Sequence, residues 1–238
     1  MKIQEQVLFE NDAFVAINKP SGVLTIPDRA GADPSLKDLL KQQYGTIFTV
    51  HRLDRDTSGV VVFAKNEDAH KELSQAFQGR EVEKFYQGLV LGVPAPPSDT
   101  IDAPIAENQV KRGTMMIHKR GKAAVTDYEL LEPFRFFSWM QFQIHTGRTH
   151  QIRVHSKHIG HPIVCDPVYG DGKPVLLSSI KKKHFNLAKE AEAERPLLAR
   201  LALHSWKLQF TLEGQPYNLE APLPKDLKAV LQQLRKNT

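Results

Sequence analysis

The stretch "HRLDRDTSGVVVFAK", His51 to Lys65, reads as a polar turn feeding a strand. Val60, Val61, Val62 and Phe63 form a continuous run of β-branched and aromatic side chains, the pattern of a strand buried on both faces. At its mouth Asp54 stands between Arg52 and Arg55, and Thr57, Ser58 and Gly59 suit a tight turn whose hydroxyls bond nearby backbone. A rigid strand holds an aspartate at its entry in place, and an adjacent cation favours the ionised form. Such a carboxylate can serve as nucleophile or base. Taken alone, the same pattern fits a structural aspartate in a turn better.

The flanks supply the rest of an α+β fold. "VLFENDAFVAINKPSG" predicts two short strands around a turn at Asn11–Asp12, then a Lys-Pro-Ser-Gly turn. "DPSLKDLLKQQYG" has helical spacing at Leu36, Leu39 and Leu40, with Gly45 to stop it. "NEDAHKELSQAFQG" predicts the clearest helix, capped by Asn66, striped by Leu73, Ala76 and Phe77, and ended at Gly79. "KFYQGLVLG", "AAVTDYELLE", "FFSWMQFQIH" and "HSWKLQFTL" predict strands, "RTHQIRVHSKHIG" a helix ended by Gly160, and "KDLKAVLQQLRK" a last helix. "VPAPPSDT" reads as a Pro-rich loop, and "KRGTMMIHKRGK" as a basic hairpin. Strands and helices mix without regular βαβ alternation, so the expectation is a mixed, mostly antiparallel sheet with flanking helices and a central cleft. A single domain over 1–238 is expected, with 171–195 as a charged surface insertion.

Composition bounds the function. With 238 residues, 41% of them hydrophobic, the chain can build a sizeable core. One cysteine, Cys165, rules out an internal disulfide and fits a reducing, cytoplasmic setting. No stretch approaches the apolar length of a membrane helix. The net charge of +5 favours an anionic partner. Its distribution is more telling than its size. Between Glu132 and Asp166 there is no acidic residue, while Arg135, Arg148, Arg153, Lys157 and five histidines fall there. A second acid-free window, between Glu107 and Asp127, carries Lys111, Arg112, Lys119, Arg120 and Lys122. Segments purged of carboxylates in this way suit a surface that faces phosphates.

In order along the chain come "AINKPSGVLTIP", "HRLDRDTSGVVVFAK", "KFYQGLV", "TGRTHQIRVH" and "HPIVCDPVYG". This set resembles the RluA-type family of RNA pseudouridine synthases, and the resemblance runs from about Val7 to about Leu227. It implies an enzyme that breaks the bond from C1′ to N1 of a uridine in RNA, turns the uracil and rejoins it through C5. The base never leaves, so the resemblance implies no metal or other cofactor, and one carboxylate suffices where glycoside hydrolysis usually uses two.

By the same resemblance the catalytic aspartate falls on Asp54, which attacks C1′ or removes a proton from C2′; the sequence leaves both routes open. The active-site tyrosine falls on Tyr86, which stacks on the uracil and helps remove the C5 proton. The basic partner of the carboxylate falls on Arg148. Arg52 fills the gap left by the flipped uridine, and Arg153 meets backbone phosphate or supports the fold. Lys119, Arg120 and Lys122 are expected on the RNA-binding surface. His51 orders the loop, Asp56 caps a turn or is solvated, and "NKPSG" supports the cleft. The expected partner is structured RNA, ribosomal or transfer, bound by a monomer without a separate N-terminal RNA-binding module.

The chain departs from the family pattern at "IVCD", where Cys165 replaces a glycine. If the backbone there has positive φ, the exchange strains the turn. Two rival readings need separate tests. A catalytically silent RNA-binding or RNA-folding protein on the same scaffold would lack turnover. A metal-dependent hydrolase would need a site such as His155, His158, His161 and Cys165, but Gly160 and Pro162 break the helix that would align the histidines.

Overall fold

Residues 2–28, 33–181 and 194–237 are described by a computed structural model. A 3-10 turn at Ile3–Gln6 leads into β1 (Val7–Glu10) and β2 (Phe14–Lys19). These are followed by α1 (Leu36–Tyr44), β3 (Phe48–Thr49), β4 (Ser58–Ala64), α2 (Glu67–Gly79) and β5 (Glu83–Leu91). Next come β6 (Ser98–Asp102), β7 (Ile105–Glu107), β8 (Met115–Ile117), β9 (Val125–Pro133) and β10 (Phe137–Ile144). The chain continues through α3 (Gln151–His158), α4 (Leu177–Ile180), β11 (Leu203–Leu212), β12 (Gln215–Glu220) and α5 (Lys225–Asn237). This is the predicted α+β class. β4 pairs with β11 in parallel, whereas β1–β2, β2–β4, β3–β4, β6–β9, β7–β8 and β11–β12 are antiparallel.

The contacts sort into two compact units interleaved along the chain. The first comprises Met1–Gln87, Gln143–Gly147 and Leu203–Pro222; the second comprises Gly88–Phe142, Arg148–Ala202 and Leu223–Thr238.

In the first unit the strand order is β1, β2, β4, β11, then the start of β5, with β12 added to β11 and β3 to β4. All seven residues of β4 are buried, as a strand with neighbours on both edges and cover on both faces requires. Phe14, Val60, Val62 and Phe210 pack with Leu73 and Ala76 of α2. The local signals work as read. Asn11 Oδ1 accepts from the N–H groups of Ala13 and Phe14 and closes the first turn. Asn66 caps α2, and α1 starts on a reciprocal capping box of Ser35 and Asp38 that the sequence reading passed over. One stop differs: Gly79 is still helical, and Arg80 takes the left-handed position at φ 64°.

In the second unit β9 lies between β10 and β6, and β7–β8 forms a separate hairpin. Ile105, Ala124, Val154 and Tyr169 make its small core with α3. The Pro-rich loop predicted over 93–100 ends early, because Ser98–Asp102 pairs with β9 as β6. That strand carries no apolar alternation; only Ile101 is buried, and the register comes from its neighbour. The basic hairpin is also redrawn. Its strands are β7 and β8 with the 108–114 loop between them, and Lys119 and Arg120 sit on a separate turn closed by Gly121 N–H to His118 O. Of the expected insertion at 171–195, residues 182–193 lie outside the described residues. Among the described residues no helix is long and apolar enough to cross a membrane.

Candidate active site

Asp54 lies, half-buried, in the connection from β3 to β4. Its backbone is pinned on both sides. Before it, Leu53 N–H donates to Thr25 Oγ1 (3.2 Å), whose hydroxyl donates back to Leu53 O (2.9 Å). After it, Arg55 O accepts from Gly22 N–H (2.9 Å) and from the Lys19 ammonium (2.9 Å). Thr57 N–H closes the turn onto Asp54 O (3.2 Å). Lys19 is wholly buried, and its Nζ also donates to Pro20 O (3.0 Å) and Val23 O (2.7 Å). A buried ammonium is tolerable only when its donors are met. Here it ties the "NKPSG" turn to the loop of Asp54, a support that a sequence reading assigns to the turn but not to its lysine in particular.

β5, which lies beyond β11 in the sheet, supplies a phenol. Tyr86 in β5 is 8% exposed. Burial pushes its hydroxyl pKa well above the usual tyrosine value; a hydrogen bond with the Ser205 hydroxyl opposes this, and the negative charge of Asp54 adds to it. Asp54 and Tyr86 are therefore electrostatic neighbours in the first unit, and Tyr86 is held as the neutral phenol. Ser205 belongs to β11 and also donates to Val60 O (3.3 Å). It pairs in register with Gly59. Gly59 has φ 116°, and a Cβ there would lie 2.0 Å from Ser205 O. Only glycine lets β11 come this close at the point where β4 begins. His204, fully buried beside it, bonds Ser58 Oγ through Nδ1 (2.9 Å) and Ala221 O through Nε2 (3.1 Å). Sequence reasoning missed Ser205 and His204 because both pass for ordinary strand residues.

His51 is the loop-ordering residue expected. Its Nε2 accepts from Val62 N–H (3.0 Å), and its ring stacks on Phe77 with centroids 4.5 Å apart. Although part of the residue reaches solvent, the accepting nitrogen faces the strand. Burial, and secondarily the Lys84 charge, lower its pKa to about 3. The ring is neutral and fixed. Arg52 is exposed on the same loop, Asp56 is exposed, and Arg55 pairs with Asp33 at 3.0 Å.

The remaining expected residues belong to the second unit. Arg148 lies just before α3; its N–H donates to Gln151 Oε1 (3.0 Å) and its Nε to Ala123 O (2.9 Å). Gln151 in turn donates to Val125 O and Thr126 Oγ1, both at 2.9 Å, and so fastens the start of α3 to β9. Lys119, Arg120 and Lys122 are exposed. Arg153 corrects its placement on the RNA surface. It is 5% exposed, with Nε 2.7 Å from Asp166 Oδ2 and a terminal nitrogen 2.9 Å from Oδ1. Its alternative reading, support of the fold, is the one the geometry fits: α3 turns this face inward, and a phosphate could reach Arg153 only by opening that pair.

Side chains of the imagined zinc set have other occupations. His155 is buried, with Nδ1 on Thr126 Oγ1 and Nε2 on Ala103 O, both 2.9 Å. His161 Nδ1 bonds Leu91 O (2.8 Å), and Cys165 Sγ contacts Leu198 O (3.6 Å). Cys165 does sit at positive φ, 59°, the strained conformation anticipated for a residue in a glycine's place.

The family described as RNA pseudouridylate synthase matches residues 13–158. An uncharacterized RNA pseudouridine synthase of Chlorobaculum parvum is 37% identical over 96% of this chain and 74% of its own length. The ribosomal large subunit pseudouridine synthase D of Nitrosomonas europaea is 37% identical over 97% of this chain and 65% of its own. The synthase of the same name from Pseudomonas aeruginosa is 35% identical over 99% and 73%. Among solved structures, human RNA pseudouridylate synthase domain containing 4 superposes with a TM-score of 0.74 at 27% identity, covering 98% of this chain and 94% of that one.

Proposed function

The chain belongs to the RNA pseudouridylate synthase family, and from that premise we propose that Asp54 is its catalytic carboxylate and ribosomal RNA of the large subunit its substrate. The enzyme class, an isomerase converting uridine to pseudouridine in RNA, comes with the family. The observation that carries the residue assignment is the pairing of Asp54 with the buried phenol of Tyr86 at the mouth of β4, on a loop braced by Lys19 and Thr25.

The chemistry follows from this arrangement. A carboxylate on a pre-positioned backbone needs no reorganisation to attack C1′ or to take the C2′ proton. Tyr86 offers the uracil a flat ring and, as a neutral phenol, a hydrogen-bond donor. It is a poor base while Asp54 is charged. Once the carboxylate is consumed, in a bond to C1′ or by the C2′ proton, one of the two obstacles to ionising Tyr86 is gone. Loss of the C5 proton to Tyr86 belongs after cleavage of the glycosidic bond, because that proton becomes labile only once C5 has bonded to C1′. Arg52 occupies the stack vacated by the uridine, and Lys119, Arg120 and Lys122 neutralise phosphates.

Asp54→Asn keeps the size and removes the charge. The variant should fold, bind ribosomal RNA with native affinity, and lose about four or more orders of magnitude in pseudouridine formation under single-turnover conditions. Native rates in that variant would remove Asp54 from the reaction. Native rates on transfer RNA alone would correct the substrate and leave the residue in place.

A further inference from the structure

A cavity of about 350 Å³ opens in the second unit between the β7–β8 hairpin and α3. Its floor is apolar, built from Met115, Ile117, Val154 and Tyr169, and Lys111 and Lys157 stand at its rim. No acidic side chain lines it. The volume lies at the lower end of small-ligand sites. None of Asp54, Tyr86 and Arg148 lines it, so the proposed reaction makes no use of it.

The floor is preorganised. Tyr169 is fixed through its hydroxyl, which accepts from Met115 N–H (2.7 Å) and bonds His150 Nδ1 (2.8 Å). The Arg153 guanidinium, locked on Asp166, lies 5.0 Å from the Tyr169 ring centroid. Met115 and Met116 both line the cavity, and Met116 is 39% exposed. Among the described residues neither the Lys111 nor the Lys157 ammonium forms an ion pair. A flat apolar group bearing an anion a few ångströms away would satisfy floor and rim together, as an unpaired base and its phosphate do.

We propose that this cavity is a second RNA site, which takes one unpaired nucleotide of the substrate, its base on the Met115–Tyr169 floor and its phosphate between Lys111 and Lys157. The proposal rests on RNA being the substrate. It adds a fixed point on the RNA besides the reacting uridine, so the distance between the two would help choose which uridine is modified.

Methyl-labelled methionine gives a direct readout, because the chain has four methionines, of which Met115 and Met116 line the cavity and Met140 is fully buried elsewhere in the same unit. Titration with a single-stranded RNA tetranucleotide should move the Met115 and Met116 methyl resonances upfield, by the ring current of a stacked base, and leave Met140 in place. Uridine lacking phosphate should bind much more weakly. Lys111→Glu with Lys157→Glu should abolish the shifts and weaken binding of structured ribosomal RNA about ten-fold, with the rate at saturating RNA retained. Unmoved Met115 and Met116 methyls on a protein that still binds and isomerises RNA would overturn this site and spare the enzyme assignment. Failure to bind or isomerise any RNA would overturn both. Shifts caused by a phenylalanine-containing peptide and not by nucleotides would overturn it in favour of a protein partner.

Discussion

Asp54 and Asp166 are carboxylates of the same chain, each accompanied by arginine, and they are used in opposite ways. Asp166 is completely buried; it takes both arms of Arg153 and the N–H groups of Val168 (2.9 Å) and Tyr169 (3.1 Å). Asp54 is half-buried, and the bonds that fix its loop run through backbone: Leu53, Asp54 and Arg55 carbonyls accept from Thr25, Thr57, Gly22 and Lys19. In one region the side chain holds the structure. In the other the structure holds the backbone, and the charge of the side chain reaches Tyr86. A carboxylate whose lone pairs are all committed has none for a reacting atom, and Asp166 is in that position.

Exchanging each for asparagine tests the contrast most strongly. Asp54→Asn should lose activity by about four orders of magnitude with its unfolding curve nearly unchanged. Asp166→Asn should do the reverse. It leaves the buried Arg153 charge uncompensated and should cost about 3–5 kcal/mol in denaturant unfolding, with activity per folded molecule retained. Acid adds a sign. Burial works to raise the Asp166 pKa, but Arg153 and the two N–H groups overcome it and hold it below the ordinary carboxylate value. Its contribution is present above the unfolded pKa of about 3.9 and is lost as pH falls through the depressed folded value. The stability gap between wild type and Asp166→Asn should therefore be flat above about pH 4 and shrink below it. A gap that persists undiminished in acid would mean that the charge of Asp166 is not what stabilises.

Smaller effects sharpen the picture. Glutamate at Lys119, Arg120 and Lys122 together should lower the slope of log affinity against log salt by about 2–3, with the rate at saturating RNA kept; an unchanged slope would take this turn off the RNA surface. Ser205→Ala removes the hydroxyl partner of Tyr86. Turnover should fall by about ten-fold or less without a change in RNA affinity, and a loss in affinity alone would make Ser205 a packing residue. His51, whose pKa is lowered to about 3, should show no ring titration by NMR between pH 8 and 5. Because its folded value is depressed, its share of stability is whole above the unfolded pKa of about 6.5 and is lost as pH falls toward 3.

The sequence by itself determined what depends on neighbours along the chain. The apolar run of β4, the cap at Asn66, the Asn11 turn, and the family to which the motifs point were all legible in short stretches, because steric preference, capping and patterning act over a few residues. The same locality explains what was missed. β6 carries no strand signal of its own and exists because β9 offers it a register. Arg153 looks like a phosphate ligand until α3 buries it against a carboxylate 13 residues away. Ser205 gains its place only because glycine at position 59 lets β11 close to within a Cβ radius of β4, and Lys19 because three carbonyls from two turns converge on one ammonium. These are decisions of tertiary structure. Desolvation and long-range pairing assign a charged side chain to the fold or to its chemistry, and no local rule carries that distinction.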